Sequence, residues 1–371
     1  METDHSGLQK CIPKSLNELK IAVIIYSLDH GGAEKQAITD ANALQEKGHQ
    51  VTLLYHKPGE LLETLHNEVS TKRIKPTSQI TASLAFFFHL LRQRYDILHA
   101  HMFWAEKISA FPAFLMRHKL VFNEHGLGKW RRWYHRRVMQ LISLCADKVI
   151  CSCRLNCKLR HDKENIPANK LQTIYNGFFL QKETKKAISH KQSTSAFTIG
   201  FIGRFHEVKR IHTFIDLASR LYTKIPSLKF ILVGDGQENE NFRKTLEEKG
   251  LADFFELPGF QSQTAKYYHQ FDVFVLPSRI EGFSISLLEA GSYGIPAIAY
   301  DVGGNSEIIE HGKTGYIFRD NDVEAIAEHI YYLFQHPEER KTFGENARNK
   351  IFSKFTLENR IEKLEKLYQE L

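Results

Sequence analysis

What most restricts this chain is a rhythm that runs through both of its halves: short β-branched and aromatic stretches, each followed by a longer helical pattern. Alternation of this kind predicts parallel sheets built from βαβ units, with helices covering the sheet faces. In the first half, strands are predicted at residues 19–26, 51–55, 97–100, 120–123, 148–152 and 171–175. A helix opens at Gly31–Gly32, carries Ala33, Ala37, Ala41 and Leu44 at helical spacing, and stops at Gly48. In the second half, strands are predicted at 197–202, 229–233, 273–276, 297–300 and 316–318, with helices beginning near Arg210, Glu238, Ser284, Asp322 and Pro337.

A polar, lysine-rich stretch without apolar periodicity, 181–195, reads as the linker between the halves. The expected fold class is therefore α/β, with two Rossmann-like domains facing across a cleft. An N-terminal domain spans 1–180, a C-terminal domain spans 196–353, and an amphipathic helix within 354–371 returns toward the N-terminal domain. A chain of 371 residues is too long for one ordinary core, which also favours two domains. No internal repeat is found.

With 42% hydrophobic and 25% charged residues the composition is that of a folded protein and excludes a disordered one. The longest nearly apolar windows, such as 81–91, fall short of the roughly 18 residues that span a bilayer. The Met-Glu-Thr-Asp start lacks a basic n-region, so neither export nor membrane spanning is expected and a cytoplasmic location is. Of five cysteines, Cys145, Cys151, Cys153 and Cys157 cluster without a Cys-x2-Cys knuckle, which points to reduced thiols rather than a disulfide framework or a zinc site. Charge is uneven: the first 180 residues hold 25 Lys and Arg against 16 Asp and Glu, whereas the remainder is slightly acidic. A basic first half suits an anionic partner, either a phosphate-bearing substrate or a lipid surface.

In doubly wound sheets ligands bind beyond the carboxyl ends of the strands, so the loops there are where chemistry is sought. The loop after 197–202 places Gly200, Gly203, Arg204, Lys209 and Arg210 between a strand end and a helix. A pyrophosphate wants close backbone approach, helix N-terminal N–H groups and fixed cations; a tight turn with solvated cations would use the same residues. The next strand ends in Leu232-Val-Gly234-Asp235-Gly236, where the glycines admit a flat or sugar-like group and Asp235 equally suits a helix cap. After 273–276 comes Glu281-Gly282-Phe283-Ser284-Ile-Ser-Leu-Leu288-Glu289, with Ser284 as N-cap, Ile285 and Leu288 on the buried stripe, and Glu289 just inside the helix. A partly buried carboxylate needs donors, which vicinal sugar hydroxyls or a surface lysine would supply.

These residues resemble the GT-B glycosyltransferases of the large retaining family 4. The family's Glu-x7-Glu signature is matched by Glu281 to Glu289. Further matches are Gly-Phe-Ile-Gly-Arg with Lys209, Leu-Val-Gly-Asp-Gly, Leu257-Pro-Gly-Phe260, Gly303-Gly304 with Glu307-Ile-Ile, and Gly312-Lys-Thr-Gly315. The first half matches more loosely, through His30-Gly-Gly32-Ala-Glu34, Asp96-Ile-Leu-His-Ala-His101, Asn123-Glu-His125-Gly and Asn176-Gly177. The chain departs from the family pattern at Ser284, Ser286 and Ser306, where proline and glycine are common.

The resemblance implies a metal-independent hexosyltransferase that takes a nucleotide diphosphate sugar, a UDP-sugar first and GDP-mannose second. It further implies transfer with retention to a glycan or lipid-linked acceptor in bacterial cell-surface polysaccharide or lipopolysaccharide synthesis. Arg204 and Lys209 would hold the departing diphosphate and Glu289 the ribose. Glu281 would read the donor sugar with the backbone N–H groups of Gly282 and Phe283, Gly32 would approach the phosphates, and His125 would contact the transferred sugar. The donor set is completed by Gly203, Gly234, Phe260, Ser284 and Leu288, and His101, Trp104 and Asn176 are acceptor-side candidates. No cofactor or metal is expected, and the one Asp-x-Asp, Asp320-Asn-Asp322, reads as a helix cap. A catalytically idle nucleotide-sugar-binding protein and a nucleotide-sugar epimerase are the competing readings.

A second feature interleaves aromatics with cations: Lys129, Trp130, Arg131, Arg132, Trp133, Tyr134, His135, Arg136 and Arg137. Peripheral contact with an anionic inner-membrane surface is expected of it, against a solvated helix face and, least, nucleic acid. A monomer or weak dimer is expected.

Overall fold

The runs of Ile, Val and Leu become parallel sheets in the computed structural model, which describes residues 18–29, 31–75, 78–178, 196–319 and 321–371. His30, Asp320 and the linker 181–195 lie outside the described residues. The chain divides into two units: the first holds residues up to Glu124, then Trp133–Ile150 and Leu364–Leu371; the second holds His125–Arg132 and Cys151–Lys363.

In the first unit the elements run β1 (Lys20–Ser27), α1 (Gly32–Glu46), β2 (Gln50–Lys57), β3 (Ser70–Arg73), α2 (Gln79–Arg92), β4 (Ile97–His101), α3 (Met102–Met116), β5 (Lys119–Glu124), α4 (Trp133–Ser143) and β6 (Lys148–Cys151). The strands lie in the order β3-β2-β1-β4-β5-β6. Strand β1 is central, pairing parallel with β2 from Lys20↔Gln50 to Ser27↔Lys57 and with β4 from Ile21↔Ile97. Its near-continuous burial, Ile21 to Ile25, is what a strand covered on both faces requires. From β1 to β2 the chain moves toward the β3 edge, whereas the crossovers through α2, α3 and α4 move the other way. Right-handed connections therefore put α1 on one face and α2, α3 and α4 together on the other.

The second unit begins with α5 (Arg154–Glu164) and the short β7 (Leu171–Thr173), followed by β8 (Phe197–Ile202), α6 (Thr213–Leu221), β9 (Leu228–Val233), α7 (Asn239–Glu248) and β10 (Phe255–Gly259). Next come α8 (Ala265–Tyr268), β11 (Val273–Leu276), α9 (Ile285–Ser292), β12 (Ala297–Tyr300), α10 (Asn305–Ile308) and β13 (Gly315–Phe318). The helices α11 (Val323–Gln335), α12 (Pro337–Lys354) and α13 (Leu357–Gln369) complete the chain. The sheet order is β10-β9-β8-β11-β12-β13, all parallel, with the switch between β8 and β11. The loops that follow β8 and β11 thus open at the topological switch point, where doubly wound sheets bind ligands.

Two edge strands escape the sequence pattern. Strand β3 reads Ser-Thr-Lys-Arg and is exposed throughout, so no apolar alternation marks it; a polar, basic edge also blocks pairing with another chain. Strand β10 contains Pro258 and Gly259, and its register shifts between Glu256 and Gly259. The helix expected near Arg210 begins at Thr213, because residues Glu207–Lys209 form a 3-10 turn and Arg210 adopts a left-handed backbone with φ 51°. Asp322 caps α11 by accepting from the Ala325 N–H at 3.1 Å.

The last helix ends in the first unit. Leu364, Leu367 and Tyr368 are buried there, Tyr368 Oη lies 2.8 Å from His99 Nδ1, and Glu365 meets His49 at 3.1 Å and Lys47 at 3.6 Å. Among the described residues no helix is long and apolar enough to cross a membrane.

Candidate functional site

The second unit gathers the sequence-selected residues onto adjoining loops. After β8 the chain turns through Gly203 and the exposed Arg204 into the 3-10 turn that ends at Lys209. Lys209 Nζ donates to Glu281 Oε1 at 2.6 Å, with both side chains largely buried, so residues 72 positions apart share one ion pair. Two more links lace the same loops: Arg279 N–H donates to the Val208 carbonyl at 2.8 Å, and its guanidinium to Glu207 at 2.9 Å. Gly234 sits beside them with φ 144°, and a Cβ there would overlap the Gly203 carbonyl oxygen, so only glycine lets the ends of β8 and β9 approach this closely.

His125 joins this group from a distant part of the chain. Its carbonyl accepts from Ser152 Oγ at 3.2 Å, and a Cβ on Gly282 would overlap that same carbonyl oxygen. Gly282 is therefore glycine because the His125–Gly126 backbone lies against it. Gly282 in turn accepts from the Gly304 N–H at 2.7 Å. Behind Gly126 stands a buried triad: Arg131 donates to Glu164 at 3.0 Å, Arg160 pairs with the same carboxylate, and Arg160 Nη2 reaches the Gly126 carbonyl at 3.2 Å.

Phe283 is buried and stacks on Tyr175 at 5.0 Å, and Asn176 Nδ2 reaches its carbonyl at 3.5 Å. Tyr175 Oη donates to Glu307 at 2.8 Å, and burial together with that carboxylate pushes its phenol up to about 12. Glu289 is half-buried and accepts from Tyr268 Oη at 2.8 Å. Tyr268 is held well above the usual phenol range by burial first and Glu289 second, so it remains a donor at any working pH.

Several sequence expectations are corrected. Ser284 occupies the N-cap position of α9, but its hydroxyl makes no capping bond and lies 3.1 Å from Ser286 Oγ. The buried stripe of α9 is Leu287, Leu288, Ala290 and Gly291, and Ile285 is only half-buried. Leu288 is fully buried, a core residue with no surface for a donor; Phe260 remains about half exposed. Asn176 is buried against Phe283 and His101 is fully buried with its ring 4.3 Å from that of His99, so neither offers surface to an acceptor. Trp104 is half-buried among the rings of Tyr26 and His56, and Gly32 opens α1. Of the basic and aromatic stretch, Arg131 is committed to Glu164 and buried. Its neighbours do not form one helix, since α4 starts at Trp133 and residues 129–132 belong to the second unit.

The supports that sequence reading missed are Tyr268, Tyr175 and the triad of Arg131, Arg160 and Glu164. Arg160 and Glu164 form a local i,i+4 pair, but nothing local marks their links to Arg131 or to the Gly126 carbonyl, and Tyr268 and Tyr175 act on residues far away in the chain.

The four described cysteines are free thiols. A hydrogen bond from Cys151 pulls the half-buried Cys157 thiol down to about 7 against the opposing effect of burial, with Thr173 Oγ1 adding a second bond at 3.3 Å. Burial pushes Cys153 up to about 12. Iodoacetamide at pH 7 should therefore alkylate Cys157 and spare Cys153, and peptide mapping showing the reverse order would refute this electrostatic account.

A fold of two parallel sheets with candidate residues massed at a switch point defines a class of nucleotide-dependent α/β enzymes, and comparison with known proteins narrows it. Residues 30–182 match the family described as Glycosyltransferase Family 4, and residues 181–350 match Glycosyl transferases group 1. The chain is 27% identical over 290 residues to N-acetyl-alpha-D-glucosaminyl L-malate synthase of Bacillus anthracis, covering 76% of each. It is 24% identical over 382 residues to UDP-Gal:alpha-D-GlcNAc-diphosphoundecaprenol alpha-1,3-galactosyltransferase of Escherichia coli, covering 95% of this chain and 97% of that one. Among solved structures, Anabaena HepE in complex with UDP superposes with a TM-score of 0.83 at 20% identity, covering 95% of this chain and all of that one. The chain belongs to the GT-B glycosyltransferases of family 4. It is a transferase of sugars.

Proposed function

We propose that the chain moves a sugar from a uridine diphosphate sugar, with retention at the anomeric carbon, to a hydroxyl of a glycan or lipid-linked acceptor in bacterial cell-surface polysaccharide synthesis. The Lys209–Glu281 ion pair carries this reading: a cation for the departing diphosphate and a carboxylate for sugar hydroxyls stand 2.6 Å apart on loops at the sheet's switch point. The galactosyltransferase relative is named for UDP-Gal, and HepE has been solved with UDP and with UDP-glucose, which favours uridine over guanosine in the donor.

In the proposed reaction, donor phosphates draw Lys209 away from Glu281, and Glu281 turns its freed oxygens to the sugar hydroxyls. Negative charge grows on the leaving phosphate oxygen in the transition state, where Arg204 and Lys209 neutralise it. The backbone N–H groups of Gly282 and Phe283 bind the sugar, Glu289 accepts from the ribose while Tyr268 fixes its other oxygen, and His125 contacts the transferred ring. The leaving phosphate takes the acceptor proton on the face where attack occurs, so no protein nucleophile is used. The two cations do the work a divalent metal would otherwise do, and no metal is needed.

UDP should raise the melting temperature in a concentration-dependent manner and GDP should not, because a ligand of the folded state stabilises by mass action. With a UDP-sugar present, UDP release should depend on added acceptor and survive EDTA. Stabilisation by GDP alone would overturn the choice of base. UDP binding without acceptor-dependent turnover, across a panel of UDP-sugars and lipid-linked glycans, would leave the idle binding protein as the better reading.

A further inference from the structure

The helical layer on one face of the first unit's sheet is apolar on its outside. Helix α2, packed beside α3, buries Ala82, Phe86 and Leu90, yet its opposite side shows Ile80, Leu84, Phe88 and Leu91, each more than half exposed. Those four recur at intervals of one helical turn, so they form a stripe rather than a scatter. Helix α3, packed beside α2, adds Phe111, Phe114 and Leu115, and α4, packed beside α3, adds Trp133 at 74% exposed and Leu141. A buried aromatic ring accounts for roughly 150–250 Å² of surface. Several rings and leucines on adjoining helices therefore exceed the few hundred Å² of contiguous apolar surface that a soluble monomer usually shows.

Charge on the layer has one sign. The three helices contain a single acidic residue, Glu106, and it is fully buried; Arg92, Lys107, Arg136 and Arg137 are the ionic groups left toward solvent. Under α2, between it and strands β2 and β3, lies a cavity of about 400 Å³ lined in part by Thr52, Ser70, Lys72, His89, Arg92 and Tyr95. Phe88 of the apolar stripe forms its rim. Burial and the Lys72 cation lower the His89 imidazole, which leaves Lys72 and Arg92 as the fixed charges of that cavity.

We propose that the outer face of α2, α3 and α4 docks on an anionic phospholipid bilayer, its apolar residues entering the headgroup–acyl boundary and the Lys72–Arg92 cavity receiving a lipid phosphate. Apolar residues flanked by Arg and Lys are what an interfacial membrane face requires. A second copy of the chain fits less well, since face-to-face pairing would set Arg92, Arg136 and Arg137 against their own counterparts. Of the 129–137 stretch that sequence suggests, the surface keeps Trp133, Arg136 and Arg137 on α4; it excludes the buried Arg131 and is centred on α2 and α3. It does not rest on the donor reading above, and its test needs no turnover.

The full chain should co-sediment, without any sugar nucleotide, with vesicles of equal parts phosphatidylglycerol and phosphatidylcholine and remain soluble with phosphatidylcholine alone. Tryptophan emission should shift to the blue on binding, and the shift should be lost in Trp133→Phe, which keeps Trp104 and Trp130. The combined variant Leu84→Gln, Phe88→Gln and Phe114→Gln alters only exposed side chains and should lose partitioning by about tenfold or more. Lys72→Gln with Arg92→Gln should weaken it by about tenfold and flatten its salt dependence; this pair decides the matter should the apolar variant fail to fold. A parent chain that stays in the supernatant at low salt, or variants that pellet as the parent does, would overturn the proposal. So would sedimentation velocity that shows a dimer dissociated by the apolar substitutions, because the face would then belong to a second copy.

Discussion

Purified Lys209→Ala should stay folded, with a somewhat lower melting temperature, and turn over at least roughly two orders of magnitude more slowly, the loss typical of deleting a group that meets charge formed only in the transition state. The ion pair makes this a demanding test. In the free protein Lys209 lies 2.6 Å from Glu281, whose side chain is only about 10% exposed, so part of any effect could come from a carboxylate deprived of its partner. Donor KM separates the two: loss of a transition-state contact falls on kcat, whereas a disordered Glu281 loop raises KM for the sugar nucleotide as well. Glu289→Ala should lose activity to a similar degree but chiefly through UDP affinity, since Tyr268 already fixes one of its carboxylate oxygens in the free protein. Near-normal kcat in folded Lys209→Ala, or near-normal kcat/KM for the donor in folded Glu289→Ala, would remove that residue from the reaction.

How far a sequence carries toward such a site depends on the range over which its residues act. Central strands such as β1 and β8 could be read in advance, because burial on both faces forces an unbroken apolar run. The starts of α11 and α12 were equally plain, since Asp322 and Pro337 are start residues whose effect is local, whereas Ser284 marks the start of α9 by position although its hydroxyl caps nothing. The exposed, basic β3 and the kinked β10 lie at sheet edges, where neither face nor ladder imposes a pattern. Within the site, Glu281, Glu289 and Lys209 stood out because strand-to-loop-to-helix spacing is itself the signal. Tyr268 and Arg160 did not. A tyrosine between Lys266 and Phe271 looks like any core aromatic until α8 is folded against α9, and only then does its hydroxyl meet Glu289.

The same limit explains why Arg131 was misread. Cations interleaved with tryptophans look alike whether they face lipid or a buried carboxylate, and the carboxylate in question, Glu164, is 33 residues away. The outward apolar stripe is written instead in α2, whose 14 residues are apolar on both of their faces.

Glu164→Gln is expected to lower the melting temperature by about 6–20 °C. Both Arg131 and Arg160 hold this carboxylate, and the three side chains are no more than 3% exposed. Removing the anion leaves two guanidinium groups close together in a low-dielectric interior, a situation that costs about 3–5 kcal/mol when one partner of a buried pair is deleted. At about 2–4 °C per kcal/mol for a unit of this size, the shift is well outside measurement error. Contrast comes from Glu248→Gln, which breaks the solvent-exposed pair with Lys244 and should leave the melt unchanged. Charge and shape are separable too: converting all three positions to apolar residues, Arg131→Met, Glu164→Leu and Arg160→Met, should recover much of the lost stability, since a buried ion network is often replaceable by packing. That restored protein would still lack the Arg160 bond to the Gly126 carbonyl, next to His125. It should therefore be stable yet slow, with a kcat below that of the parent. A Glu164→Gln chain that melts with the parent would mean that the triad is solvated and positions nothing.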